Sequence, residues 1–386
     1  FVHLRLRGIV SLGNYNVVSF PQAVIFLSAL NFPMFLGLRI AEIIIAAVNI
    51  LFFNNTQRII ILFLSIFLLM NALYGLNQAN FPQTERLIFI FKYIVPFWAL
   101  FYGINEKKSN ATTVLIIYLI LLSTWTILYP YLALNGIITG YWRPSFPSDD
   151  YSYSDAHLLA AVLATVLAFT LISQDVKNNA KNFNYWVLLS GYILVALIAI
   201  VFTGSRNGIL IFFLTLIYLF WVSTYYRVYI IIASLGATLV FWFFVDLDTI
   251  ITAFAGFERL INSDLANDAS VGGRLNKIRI GITETLENHI VFGRSIVNGS
   301  LIWYDNGPTI MFVHFGVLAL FAVFAAALYF SYWLYTSGKF SRKKSDVVFF
   351  ALLIIITNLI TEFFLTTRYA CPVFYCFGIL INEYRK

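Results

Sequence analysis

Charge is what this sequence lacks most. Of its 386 residues only 11% are Asp, Glu, Lys or Arg, where soluble domains carry about 25%. So few charges cannot cover a water-facing surface, which excludes an ordinary cytosolic enzyme, a disordered chain and a nucleic-acid binder. Cysteine is nearly absent. Cys371 and Cys376 lie in one apolar stretch, giving neither a disulfide framework nor the spacing of a metal site. Internal repeats and low-complexity linkers are missing as well, and no cleavable signal peptide is expected. What remains is apolar: 60% hydrophobic and 18% aromatic residues, with a mean hydropathy of +0.83. The excess must face lipid, so the net charge of +7 concerns membrane topology.

A membrane span takes about 20 mostly apolar residues. Such runs occur at 21–38, 40–54, 57–75, 86–103, 112–133, 155–173, 184–203, 207–224, 228–246, 308–336, 346–367 and 370–383. The expected fold is therefore all-α: a polytopic membrane protein of about twelve transmembrane helices, with residues 1–386 forming a single transmembrane domain. Two connections are longer than the rest. Residues 134–154 form a smaller loop, and residues 247–307 a large loop between helices nine and ten.

Orientation follows from the excess of Lys and Arg on the cytoplasmic side of membrane proteins. With Arg5 and Arg7 inside, alternation also places Arg58, Lys107, Lys108, Lys177, Lys181, Arg227, Lys339, Arg342, Lys343, Lys344, Arg385 and Lys386 inside. Both termini are then cytoplasmic, and the two long loops lie outside. The outer cations are Arg39, Arg86, Arg143, Arg206, Arg259, Arg274, Arg279, Arg294 and Arg368, with Lys277 the one lysine. Topology offers no reason for this bias. Guanidinium groups hold phosphates and carboxylates in bidentate geometry, which lysine cannot do. The bias points to an anionic, phosphorylated, lipid-linked ligand, the alternative being that these arginines pair with loop acids.

Three outer segments carry chemistry. Phe202-Thr203-Gly204-Ser205-Arg206-Asn207-Gly208 breaks two spans with small residues, so that backbone amides and one arginine can face an anion beside a helix N-terminus; a plain helical hairpin turn reads the same way. Gly272-Gly273-Arg274 runs into Leu275, Ile278, Ile282 and Leu286. That spacing predicts an amphipathic helix over 274–287, with Arg274, Lys277, Gly281 and Glu284 on its other face. It reads as a membrane-surface helix or as a lid with an arginine at its N-terminus. Trp303-Tyr304-Asp305-Asn306-Gly307-Pro308 opens span ten, followed by His314 and Gly316. Asp305 is an ordinary capping residue there and also the better candidate base, while His314 reads as an interior group.

The order Thr-Gly-Ser-Arg, then Gly-Gly-Arg with a following Phe-Gly, then an Asn with a Gly ten residues on, resembles the O-antigen polymerase (Wzy) and O-antigen ligase (WaaL) superfamily. The resemblance spans roughly residues 140–325. Ligases commonly have His-Asn in the third motif; Asp305-Asn306 is more similar to the polymerases. The resemblance implies a metal-independent glycosyltransferase of the GT-C class in the bacterial inner membrane, needing no cofactor and acting at the periplasmic face. Its substrates would be undecaprenyl-diphosphate-linked oligosaccharides within the membrane lipid, with room for a chain-length-regulating protein partner and none for nucleic acid. By motif match Arg206 and Arg274 would hold the diphosphate, and Asp305 would orient or deprotonate the acceptor hydroxyl.

Around these, Arg143 with Tyr151 and Tyr153 suits sugar binding, though an interfacial aromatic belt is equally consistent. Arg279, Arg294 and Arg368 are further phosphate candidates, with His314 beside them. Glu42, Lys92, Asp155, His157 and Glu362 are intramembrane ionisable groups; Glu42 is explained by pairing with Arg39. A ligase moving glycan onto lipid A-core is the alternative activity. A lipid-linked oligosaccharide flippase is the alternative of another class, set back by the missing repeat and the one-sided arginines.

Overall fold

The computed structural model describes residues 9–12, 15–19, 53–78, 94–105, 111–136, 144, 156–173, 183–223, 226–227, 230–231, 269–295, 307–336, 342–360 and 367–385. Among them are ten helices: α1 (Asn55–Gln78), α2 (Val95–Asn105), α3 (Ala111–Leu134), α4 (Ala156–Ile172), α5 (Phe183–Phe202), α6 (Arg206–Val222), α7 (Ala269–Asn288), α8 (Gly307–Thr336), α9 (Arg342–Ile360) and α10 (Thr367–Arg385). Nine fall on expected spans. The span at 21–38 and most of those at 40–54 and 228–246 lie outside the described residues. One element departs from the all-α expectation. Residues Ile9–Leu12 (β1) and Tyr15–Ser19 (β2) pair antiparallel, with Leu12 opposite Tyr15; the two residues between them, Gly13-Asn14, are a tight-hairpin sequence.

Segments Asn55–Asn77, Leu115–Leu134 and Gly307–Thr336 are long and apolar enough to cross a membrane. Their outward faces agree. On α1, Ile59, Leu62, Phe63, Ile66, Leu69, Met70 and Leu73 are all exposed, recurring every three or four residues as one apolar stripe. On α8 the exposed side chains include Phe321, Phe324, Leu328, Tyr329, Tyr332 and Tyr335. Contiguous apolar stripes of this size are anomalous against water and ordinary against lipid. The chain is a helical membrane protein.

The chain forms two compact units. The first comprises residues 1–35, 106–263 and 349–353. Its centre is α4, whose residues are all buried except His157. A helix apolar all round, rich in alanine, is built for enclosure, and α3, α5 and α6 each pack against it. The second unit comprises residues 36–105, 264–348 and 354–386. Helix α1 opens on a reciprocal cap: the Asn54 amide donates to Gln57 Oε1 (3.1 Å) and the Gln57 amide to Asn54 Oδ1 (2.9 Å). Asn105 Nδ2, at the end of α2, also donates to Gln57 Oε1 (3.0 Å). Phe53, Ile61, Leu68, Ala72, Ile94, Phe101, Phe315 and Ala319 form the apolar core here.

Helices α2 and α10 meet at two glycines. A Cβ on Gly378 would sit 2.9 Å from Gly103 Cα and 2.9 Å from the Ile104 nitrogen, and one on Gly103 would sit 3.1 Å from Gly378 Cα. Small residues let helix backbones approach in a membrane, where packing rather than hydrophobicity drives association. Gly378→Leu is therefore expected to separate the two helices and cost about 3 kcal/mol or more. A lowered melting temperature of the detergent-purified protein would show it, with Gly191→Leu as the control, because a Cβ at Gly191 meets nothing within 4 Å.

Candidate functional site

The turn between α5 and α6 is built by Thr203. Its Oγ1 donates to the Ile200 carbonyl (2.6 Å) and accepts from the Ser205 amide (3.2 Å). Gly204 takes φ +60°, a left-handed conformation natural to glycine. Ser205 then occupies the N-cap position in extended conformation, yet its side chain makes no capping bond. The first-turn amides of α6 are thus left to another acceptor. Arg206 is the first helical residue; its side chain lies outside the described residues. Asn207 follows, 6% exposed, and neither its Oδ1 nor its Nδ2 has a protein partner. Gly208 has a different task from its neighbours. A Cβ there would lie 2.6 Å from Ala160 Cβ, so this glycine lets α6 press against α4.

Amides that Ser205 does not cap, a helix dipole and a buried, unpartnered carboxamide meet at the start of α6. An anion accepts from the first-turn amides and from Asn207 Nδ2, whereas Asn207 Oδ1 needs a donor. A buried amide group without a partner costs about 1–3 kcal/mol, so its retention calls for an explanation.

In the second unit the segment after α7 closes onto a break in α8. Gly316 has φ 72° and ψ −168°, a region essentially confined to glycine, and it divides α8 into half-helices 307–315 and 317–336. The break frees backbone groups that lipid cannot satisfy. Residues 290–295 take them up. The Arg294 amide donates to the Val313 carbonyl (2.6 Å), the Ser295 amide to His314 (3.2 Å), and the Val317 amide to the Ile290 carbonyl (2.9 Å). Asn71 of α1 fastens both sides, its Nδ2 donating to the carbonyls of Phe292 (2.6 Å) and His314 (2.9 Å). Gly293, at φ +68°, lies directly on Gly316: a Cβ on Gly293 would meet His314, Phe315 and Gly316 backbone atoms at 2.5–2.6 Å. These are the glycine of the Phe-Gly motif and the glycine ten residues after Asn306. Two signals far apart in sequence are thus the two halves of one contact.

Helix α7 begins at Ala269, five residues before the expected start, so Gly272 and Gly273 are helical and Arg274 sits within the helix rather than at its N-terminus. Gly281 and Thr285 are buried and Ile278 packs on Ile310 and Val313 of α8, whereas Leu275 is 62% and Leu286 52% exposed. Thr285 Oγ1 donates back to the Gly281 carbonyl (2.8 Å), so its buried hydroxyl is satisfied.

The remaining candidates are placed as follows. Arg279 is exposed on α7. Arg294 is half-buried and paired: its Nη1 lies 3.2 Å from each carboxylate oxygen of Glu284, so its local partner is an acid of α7. His314 is buried in α8 beside Asn71. The side chains of Arg274 and of Arg368, the second residue of α10, lie outside the described residues, as do Arg143, Tyr151, Tyr153 and Asp305 entirely. Glu42, Lys92, Asp155 and Glu362 do too. Asn71, Asn207 and Asn358 were missed by sequence reasoning. Asn71 and Asn358 are carboxamides in apolar runs, which was the available signal, while Asn207 stood in the 202–208 segment without a role of its own.

Compared with protein-family models, curated proteins and solved structures, the chain matches none. Function rests on the residues.

Proposed function

We propose that the chain is an O-antigen, or surface-polysaccharide, polymerase: a GT-C-type glycosyltransferase of about twelve spans in the bacterial inner membrane. Both termini are cytoplasmic, and the chemistry faces the periplasm. It joins undecaprenyl-diphosphate-linked repeat units. The observation that carries this reading is the start of α6, where an uncapped helix N-terminus adjoins Arg206 and the buried, unpartnered Asn207. Those are the groups a diphosphate requires.

In the reaction an acceptor sugar hydroxyl forms a bond to the anomeric carbon of the donor. The bond from that carbon to the diphosphate breaks, and the hydroxyl proton passes to a base, to which Asp305 is assigned. Diphosphate leaves readily once its charge is held, so preorganised donors supply much of the rate. Arg206 and Arg274 hold it by motif match. Arg143, Tyr151, Tyr153, Arg279 and Arg368 remain substrate-binding candidates. Arg294 is reached by substrate only by leaving Glu284.

Deletion of the gene tests the reading. A polymerase mutant carries a single repeat unit on lipid A-core, whereas bare core identifies a ligase. Bare core with undecaprenyl-linked units held in the cytoplasmic leaflet identifies a flippase.

A further inference from the structure

Asn358 lies on α9 in the second unit, 8% exposed, and its Oδ1 is buried without a hydrogen-bond partner. Its carboxamide is pressed against Gly307, the first residue of α8: a Cβ on Gly307 would meet Asn358 Oδ1, Cγ and Nδ2, the last at 2.6 Å. The side chain is therefore aimed at a helix start, and glycine at 307 is what makes room for it. That start belongs to half-helix 307–315 and lies two residues along the chain from Asp305. No group of the protein donates to Oδ1, so Asn358 is not a helix cap. A carbonyl oxygen kept buried and unpaired at the start of α8 accepts a hydrogen bond from something that enters.

We propose that Asn358 is a substrate-binding residue whose Oδ1 accepts a hydrogen bond from a hydroxyl of the acceptor sugar, orienting that sugar at the start of α8. This rests on the polymerase reading and deepens it. The ligand is a neutral polyol: an acceptor oxygen attracts a hydroxyl donor and repels a phosphate.

The test compares Asn358→Leu and Asn358→Asp in the full-length protein, using lipid-linked repeat units extracted from the deletion strain as substrate. Leucine nearly preserves the volume and removes the unpaired oxygen, so a merely structural Asn358 yields a variant at least as stable and fully active. A binding Asn358 yields a Leu variant that melts at or above the wild-type temperature, with KM for the repeat unit raised about tenfold. The Asp variant keeps an acceptor oxygen, so its KM stays within about threefold of wild type. Wild-type kinetics in Asn358→Leu overturns the proposal. So does an activity loss in both variants that only follows a lowered melting temperature. If Asn358→Leu does not fold, Asn358→Ser, which also lacks the carbonyl, is judged by the same criteria. Arg206→Lys and Arg274→Lys, run alongside, separate the two ideas: if both are fully active the phosphate clamp under the polymerase reading fails, and if they are inactive beside a normal Asn358→Leu, only the role of Asn358 fails.

Discussion

Arg206→Lys is expected to abolish long-chain polysaccharide while leaving the protein folded, and Arg274→Lys to do the same. The charge is unchanged in both, so any loss reports geometry. A lysine offers a point charge where a guanidinium offers a planar fork matched to two phosphate oxygens. Removing one preorganised donor from developing negative charge costs about 100- to 1,000-fold in rate, enough to collapse a chain-length ladder. Arg206 stands at the first position of α6 after an N-cap serine that caps nothing, so the helix there stands to lose little stability on substitution. The measurement is the ladder of the complemented deletion strain, beside the melting temperature of the purified variants. Normal ladders in both would remove the phosphate clamp from the account.

The second large effect concerns folding. Gly293→Ala and Gly316→Ala each place a Cβ against backbone that cannot yield. At Gly293 the nearest atoms are 2.5 Å away. At Gly316 the new Cβ would be 2.5 Å from the Gly293 nitrogen, on a residue held at φ 72° and ψ −168°. Left-handed strain contributes about 1–3 kcal/mol, and overpacking adds a similar amount. Each substitution is expected to open the contact between residues 290–295 and the break in α8, exposing the Val313 and His314 carbonyls that Arg294, Ser295 and Asn71 now satisfy. Thermal unfolding in detergent and protease cleavage after residue 288 would both increase. Because the two glycines touch, the double variant should fall short of the sum of the singles; strict additivity would mean that they act separately.

Both predictions show what could be read along the chain. The apolar runs at 57–75, 112–133 and 308–336 became helices because twenty apolar residues have few other options in lipid. The turn at Thr203–Ser205 and the start of α6 were legible because small residues and a following arginine are local signals. Residues 272–288 were half legible. Helical spacing was visible there, but not the start at Ala269, nor that Gly281 and Thr285 are buried while Leu275 and Leu286 are exposed.

Composition alone, at 11% charged and 60% hydrophobic, determined that this is a helical membrane protein, because charge is what water-facing surface requires. The arginine bias and the three short motifs determined where to look. Tertiary structure alone decided that Gly293 and Gly316 are one contact, that Asn71 fastens it, and that Arg294 belongs to Glu284. It alone left Asn207 and Asn358 buried with unpaired polar atoms. Sequence order carries local geometry and mean polarity. It does not carry which distant backbone groups meet, nor which buried amides find a partner.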